Sequence, residues 1–197
     1  MWLRLDLEGL DFRFRITRYH PSTRANWDCE WCRVDLSMIA SNWLDYHIDN
    51  QEILLCTEVE QLKDSIADLL ADRLTERKEV SFIEPDLAFF LQPREKIKWN
   101  PDITYIAPGD EWTEVDADLE VHTWNHGLTE NRIVTCFGRD ELEIVLCYLR
   151  IICGELTTED DDVKKYMSEG IFYESCPVVA ISGMTETQAD TGPKEDM

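Results

Sequence analysis

The chain of 197 residues carries 41 Asp and Glu against 19 Lys and Arg, a formal net charge of −22. A surface of that sign repels nucleic acid and anionic membrane and steers basic partners inward, so no nucleic-acid or membrane partner is expected. At 44% hydrophobic and 10% aromatic residues, the composition also supports a packed core, which excludes disorder of the whole chain.

Residues 12–20 alternate apolar and basic (Phe12-Arg13-Phe14-Arg15-Ile16), the period of a half-buried strand, until Pro21-Ser22 breaks it. A second strand is predicted from about Trp27 to Ile39, with Cys32, Val34, Leu36 and Met38 on one face. A third covers Trp43 to Cys56, with Asp49-Asn50 as a turn or bulge. Thr57-Glu58-Val59-Glu60 reads as a capping box, Thr57 capping the amides ahead while Glu60 reaches back. Behind it Val59, Leu62, Ile66, Leu69, Leu70 and Leu74 fall at helical spacing.

Val80 to Gln92 reads as a strand bent at Pro85, which cannot donate to a ladder. Residues 93–113, with Pro93, Pro101 and Pro108, are expected to form an irregular insertion or long hairpin loop. Glu114 to Asn125 alternates cleanly and turns at Asn125-His126-Gly127 into a partner strand, Ile133–Phe137. Asp140 with Glu143 repeats the capping logic for a last helix. Its stripe (Leu142, Val145, Leu146, Leu149, Ile152) is widened by Ile144, Tyr148 and Ile151, and Gly154 stands at the C-terminal cap. That width implies burial deep in the fold or between subunits.

The expected fold is therefore α+β: an antiparallel sheet with two amphipathic helices packed on one face, in the order βββα-ββββα. One domain over 1–156 precedes an acidic tail at 157–197, ordered at most around Phe172 to Ile181. No apolar run approaches the ~20 residues of a spanning helix, and Met1-Trp2-Leu3-Arg4-Leu5-Asp6 places charge where a signal peptide is apolar. A cytoplasmic protein is expected. Its seven cysteines (Cys29, Cys32, Cys56, Cys136, Cys147, Cys153, Cys176) are odd in number and mostly in apolar segments, which favours reduced thiols.

The chemistry-bearing residues point to binding rather than catalysis. Glu60, Asp64, Asp68, Asp72 and Glu76 recur along the first helix opposite its apolar stripe, where like charges are mutually destabilising. Asp116, Asp118 and Glu120 form a second row on the strand after the insertion. Carboxylates two apart on a strand sit roughly 6.5–7 Å from each other, which suits a Ca²⁺ site or a glycosidase pair in spacing. Yet there is no glycine-containing calcium loop, and solvent-facing acids lack the burial that acid–base work requires. Cys29-Glu30-Trp31-Cys32 is a lone C-x-x-C inside a predicted strand, without the helix start that activates a redox thiol. His20, His47, His122 and His126 are scattered, and no nucleophile elbow or phosphate-binding glycine loop is present. No catalytic residue, metal or cofactor is expected. Trp27, Trp31, Trp43, Trp99, Trp112 and Trp124 supply core or sheet packing, and any left exposed beside acids would anchor a protein partner.

The order of landmarks resembles the WapI family of bacterial immunity proteins: a Trp-rich strand opening (Asn26-Trp27-Asp28-Cys29-Glu30-Trp31-Cys32), a capped helix, Ile83-Glu84-Pro85-Asp86-Leu87-Ala88-Phe89, an alternating strand, and the Asp140-Glu141-Leu142 helix. The resemblance spans about Phe12 to Gly154, and Glu84-Pro85-Asp86-Leu87 is its sharpest element. The proline-rich segment before Trp112 and the residues after Leu156 depart from it and suit a toxin-specific contact. The resemblance implies a non-enzymatic inhibitor that blocks the toxic C-terminal domain of a cognate toxin, many of which are basic nucleases. Charge agrees independently, since complementary sign raises on-rate and affinity. The expected contacts are Asp64, Asp68, Asp72, Asp116, Asp118 and Glu120, with the protein a monomer or homodimer. The alternatives are a subunit of a cytoplasmic assembly using Ile144, Tyr148 and Ile151, or a carboxylate–metal hydrolase.

Overall fold

A computed structural model describes residues 1–21, 30–98, 105–107, 109, 111–124 and 127–174. Among these described residues, nine strands and three helices follow in the order β1 (Trp2–Leu7), β2 (Leu10–Thr17), β3 (Trp31–Ala40), β4 (Leu44–Leu55), α1 (Cys56–Leu70), β5 (Lys78–Ser81), β6 (Leu87–Gln92), β7 (Asp116–Trp124), β8 (Leu128–Phe137), α2 (Arg139–Ile152), α3 (Asp161–Ser168) and β9 (Phe172–Tyr173). The architecture is α+β with antiparallel pairing throughout, as the alternation predicts. The strands divide between two sheets, of order β4-β3-β2-β1-β9 and β5-β6-β7-β8, with α1 crossing from the first to the second.

β1 is an element the sequence reading omits, although Leu3, Leu5 and Leu7 alternate with Arg4 and Asp6. It turns into β2 through Glu8 and Gly9, whose positive φ values of 54° and 89° fit the tight turns of antiparallel hairpins. The Gly9 N–H is held by Asp6 Oδ1 at 2.8 Å. On β3 the four predicted inward residues, Cys32, Val34, Leu36 and Met38, are all buried. The Asp49-Asn50 irregularity is a bulge. The β3–β4 register shifts there, Asn50 takes φ 51°, and its N–H donates to Asp35 Oδ1 at 3.0 Å.

Both long helices lie on the core side of the sheets and touch each other; α1 meets β4, β5 and β6, while α2 meets β1, β7 and β8. The two sheets meet where Phe12 stands edge-on to Phe137, 5.5 Å between ring centroids, with Phe89 6.2 Å from the same ring. The width of the α2 stripe is explained within the chain. Tyr148 is fully buried, its hydroxyl accepting from Ile16 N–H at 2.8 Å, while α3 packs along the same helix. The segment expected to begin a tail thus holds α3 and β9, which bury Val163 and Phe172; β9 pairs with β1 through Trp2↔Tyr173 and Leu3↔Phe172. Residues 175–197 lie outside the described residues, as do Trp27, Cys29, Trp99, Asn125 and His126. The base of the 93–113 insertion is a hairpin neck, with Lys96 bridged to Trp112 and Ile97 N–H bonded to the Glu111 carbonyl at 2.7 Å.

The start of α1 differs from the predicted capping box. The cap position is Leu55, two residues earlier, and it has no side-chain acceptor. Glu58 is the residue that reaches back: its Oε2 accepts from Leu55 N–H at 2.8 Å and its Oε1 from Ile83 N–H at 2.7 Å. Glu60 instead accepts from the Tyr19 hydroxyl at 2.7 Å. Glu58 is buried, so Glu58→Ala leaves both amides without this acceptor and should cost about 2–4 kcal/mol, read as a lower urea midpoint. Tyr148→Phe, which strands Ile16 N–H, should cost about 1–3 kcal/mol in the same measurement. Midpoints equal to wild type would remove either bond from the account.

Candidate functional site

β4 is the outer strand of its sheet, so one of its edges has no strand partner among the described residues. Opposite it, Pro85 interrupts the run between β5 and β6, and residues 82–86 form a non-strand segment. Four hydrogen bonds fix that segment and its surroundings. Ile83 N–H is held by Glu58, Asp86 Oδ1 accepts from Trp124 Nε1–H at 2.6 Å, the Asp86 carbonyl accepts from His122 N–H at 2.8 Å, and the Tyr46 hydroxyl donates to the His122 carbonyl at 3.2 Å. The last of these ties the end of β7 to β4.

Between these walls lies a cleft of about 670 Å³, lined by Tyr46, His47, Asp49 and Glu52 of β4 and by Glu84, Asp86 and Trp124 opposite. No Lys or Arg is among its lining residues. Glu52 is neutralised from outside by Arg33 at 2.7 Å, and His47 is turned to Asp45 at 2.7 Å. Burial, reinforced by Glu84, pushes the Asp86 carboxyl above its ordinary range, although the Trp124 bond opposes the rise. Trp124 is 48% exposed and Ile83, beside the acids in sequence, 65%. The cleft therefore presents negative charge beside a half-exposed indole.

The six residues expected from sequence fall in three places. Asp64 and Asp68 lie on the outer side of α1, paired with Lys63 at 3.4 Å and Arg73 at 2.7 Å respectively. Asp72 does not continue that row. The helix ends at Leu70, and Asp72, at φ 53°, lines a separate hollow of about 430 Å³ with Arg94 and Trp112. Asp116, Asp118 and Glu120 project from the outer face of the second sheet, alternating with the buried Ala117, Leu119 and Val121. Glu120 is bound by Arg132 at 2.8 Å, and burial with Asp118 alongside raises the Asp116 carboxyl. Because α1 packs on the core side of that sheet, the sheet stands between the two rows, and they form no common surface.

Sequence reading passed over Asp49, Glu52, Glu84 and Trp124 as a group. Their signals were separate: Glu84-Pro85-Asp86-Leu87 as a family mark, Asp49 in a turn or bulge, and Trp124 among the tryptophans that would anchor a partner if exposed beside acids. Among the described residues, no three His, Cys, Asp or Glu side chains are placed to hold a metal ion, and no helix is long and apolar enough to cross a membrane. Cys32, whose C-x-x-C partner lies outside the described residues, is buried with its sulfur 3.4 Å from that of Cys56, and burial pushes its thiol pKa upward.

Residues 3–130 match the immunity protein WapI-like family, and the chain belongs to that family. The match takes in all of β1 but Trp2, a strand the resemblance had left out, and every residue that lines the cleft. No curated protein matches the chain.

The Asp86 environment generates a test of its own. Its folded pKa is raised, so the ionised carboxylate is what the fold bears at a cost. That cost is absent below pH ~4 and grows as pH rises through the folded value. Asp86→Asn keeps an acceptor for Trp124, so thermal melts should show equal or higher Tm at pH ~7 and no gain at pH ~4. A variant less stable at neutral pH would mean the charge itself is stabilising.

Proposed function

We propose that this immunity-family protein binds and neutralises a basic toxin domain, of nuclease type, through its acidic surface. The observation that carries the reading is the surplus of 41 acidic over 19 basic residues in a chain whose family defends against toxins. An enzyme that acts on a polyanion carries a basic groove, and an acidic inhibitor competes for that groove by charge alone. Steric coverage is sufficient, and no chemical step is required of the inhibitor.

Two surfaces other than the cleft are available for such contact. On α1, Asp64 is largely exposed, with a side-chain accessibility of 72%, against 41% for Asp68. On β7, Asp116 and Asp118 stand half-buried in the sheet face. Since the sheet separates the two rows, one toxin domain engages one row and not the other.

The test uses candidate toxin C-terminal domains encoded in the neighbourhood of this chain. Binding to wild type should weaken steeply as salt rises, with loss of toxin activity in the complex. Neutralising Asp64 and Asp68, or separately Asp116 and Asp118, should slow association about severalfold for one pair and leave the other near wild type. Salt-independent binding, or identical rates for both variants and wild type, would remove the outward rows from the interface.

A further inference from the structure

We infer that the cleft between β4 and the 83–86 segment is the anchor for an arginine side chain presented by the toxin domain; the inference rests on the reading that such a domain is the partner. The molecule shows the arrangement an arginine adopts in it. On the outer face of the first sheet, the Arg15 guanidinium lies 4.6 Å over the Trp2 ring and bonds Asp35 at 2.8 Å. An indole face and a carboxylate together hold a planar cation by stacking and by forked hydrogen bonds.

The cleft supplies the same two components. Trp124 is fixed by its bond to Asp86 and remains half-exposed, while Glu84 and Asp49 have no cationic partner among the described residues. No Lys or Arg lines the cleft among the described residues, so the guanidinium is assigned to the partner. The volume of about 670 Å³ admits a long side chain with its flanking backbone, and falls in the usual range of binding pockets.

The edge of β4 is not itself the recognition element. Its bulge at Asn50 interrupts the regular row of backbone donors and acceptors, which blunts an edge against strand addition. Side chains therefore select the partner. A guanidinium taken between two walls is desolvated, and its loss acts on dissociation more than on encounter.

The decisive experiment compares wild type with the double variant Glu84→Gln, Asp49→Asn. Neither carboxylate has an ion pair or side-chain hydrogen bond among the described residues, and loss of the Glu84 charge relieves Asp86. The variant should therefore melt at the wild-type temperature or slightly above it at neutral pH, which checks that the fold is kept. Against the neighbouring toxin domain, the variant should dissociate about tenfold faster or more, with association little altered. A tetra-arginine peptide titrated into the protein should shift the Trp124 indole N–H resonance, assigned with Trp124→Phe, in wild type and not in the double variant. Unchanged dissociation from a toxin that wild type does bind overturns the anchor and leaves the toxin reading intact. A peptide shift without any toxin binding overturns the toxin reading and leaves an arginine-binding cleft. No peptide shift in wild type overturns the cleft as an arginine site.

Discussion

The Glu58 carboxylate is the joint on which this arrangement depends. One oxygen holds the amide at the end of β4 and the other the amide of Ile83, so a single buried side chain fixes the exit of the first sheet, the start of α1 and the connection between β5 and β6 in the second sheet. Backbone amides at a helix start have no intrahelical acceptor, and a carboxylate there also meets the favourable end of the helix dipole. The 83–86 segment thereby acquires a fixed position opposite β4. The cleft is a consequence of that joint as much as of its own lining.

Charge is distributed unevenly over the two sheets. The outer face of the first is a paired network, with Arg4 and Arg13 on Asp11, Arg15 on Asp35 and Arg33 on Glu52. Elsewhere Lys63, Arg73, Arg94 and Arg132 each pair with an acid, yet acids still outnumber cations, and at the cleft Asp49 and Glu84 stand unpaired among the described residues beside an aromatic ring. Net charge draws a basic body in; a shaped site decides where it stays.

Most strands were legible because their alternation is strict, Cys32 to Met38 and Val115 to Val121 showing the period of a sheet without interruption, and both long helices because their apolar residues keep helical spacing. The helix start was misplaced by two residues because Thr57 and Glu60 fit the capping pattern, while the residue that caps, Glu58, draws half its role from Ile83, distant in sequence. The division into two sheets was not legible either. It depends on the packing of Phe12, Phe89 and Phe137, which no local period encodes. The acidic rows were seen because they are periodic, and the cleft was missed because residues 46–52, 84–86 and 124 converge only through tertiary structure. α3 was obscured by the acids of Glu159-Asp160-Asp161-Asp162, which suit a helix start as readily as a tail, whereas β9 falls in the stretch from Phe172 where order was expected.

The pairing of β9 with β1 has a temporal consequence. Trp2 and Leu3 meet Tyr173 and Phe172 across nearly the whole described chain, a contact whose loop-closure entropy must be met before the first sheet is complete. During synthesis β1 is an open edge until that late segment arrives. High sequence separation of this kind slows folding and prolongs the interval in which unpaired strand edges can associate wrongly. Assembly of this protein is therefore governed at its last step by a two-residue strand.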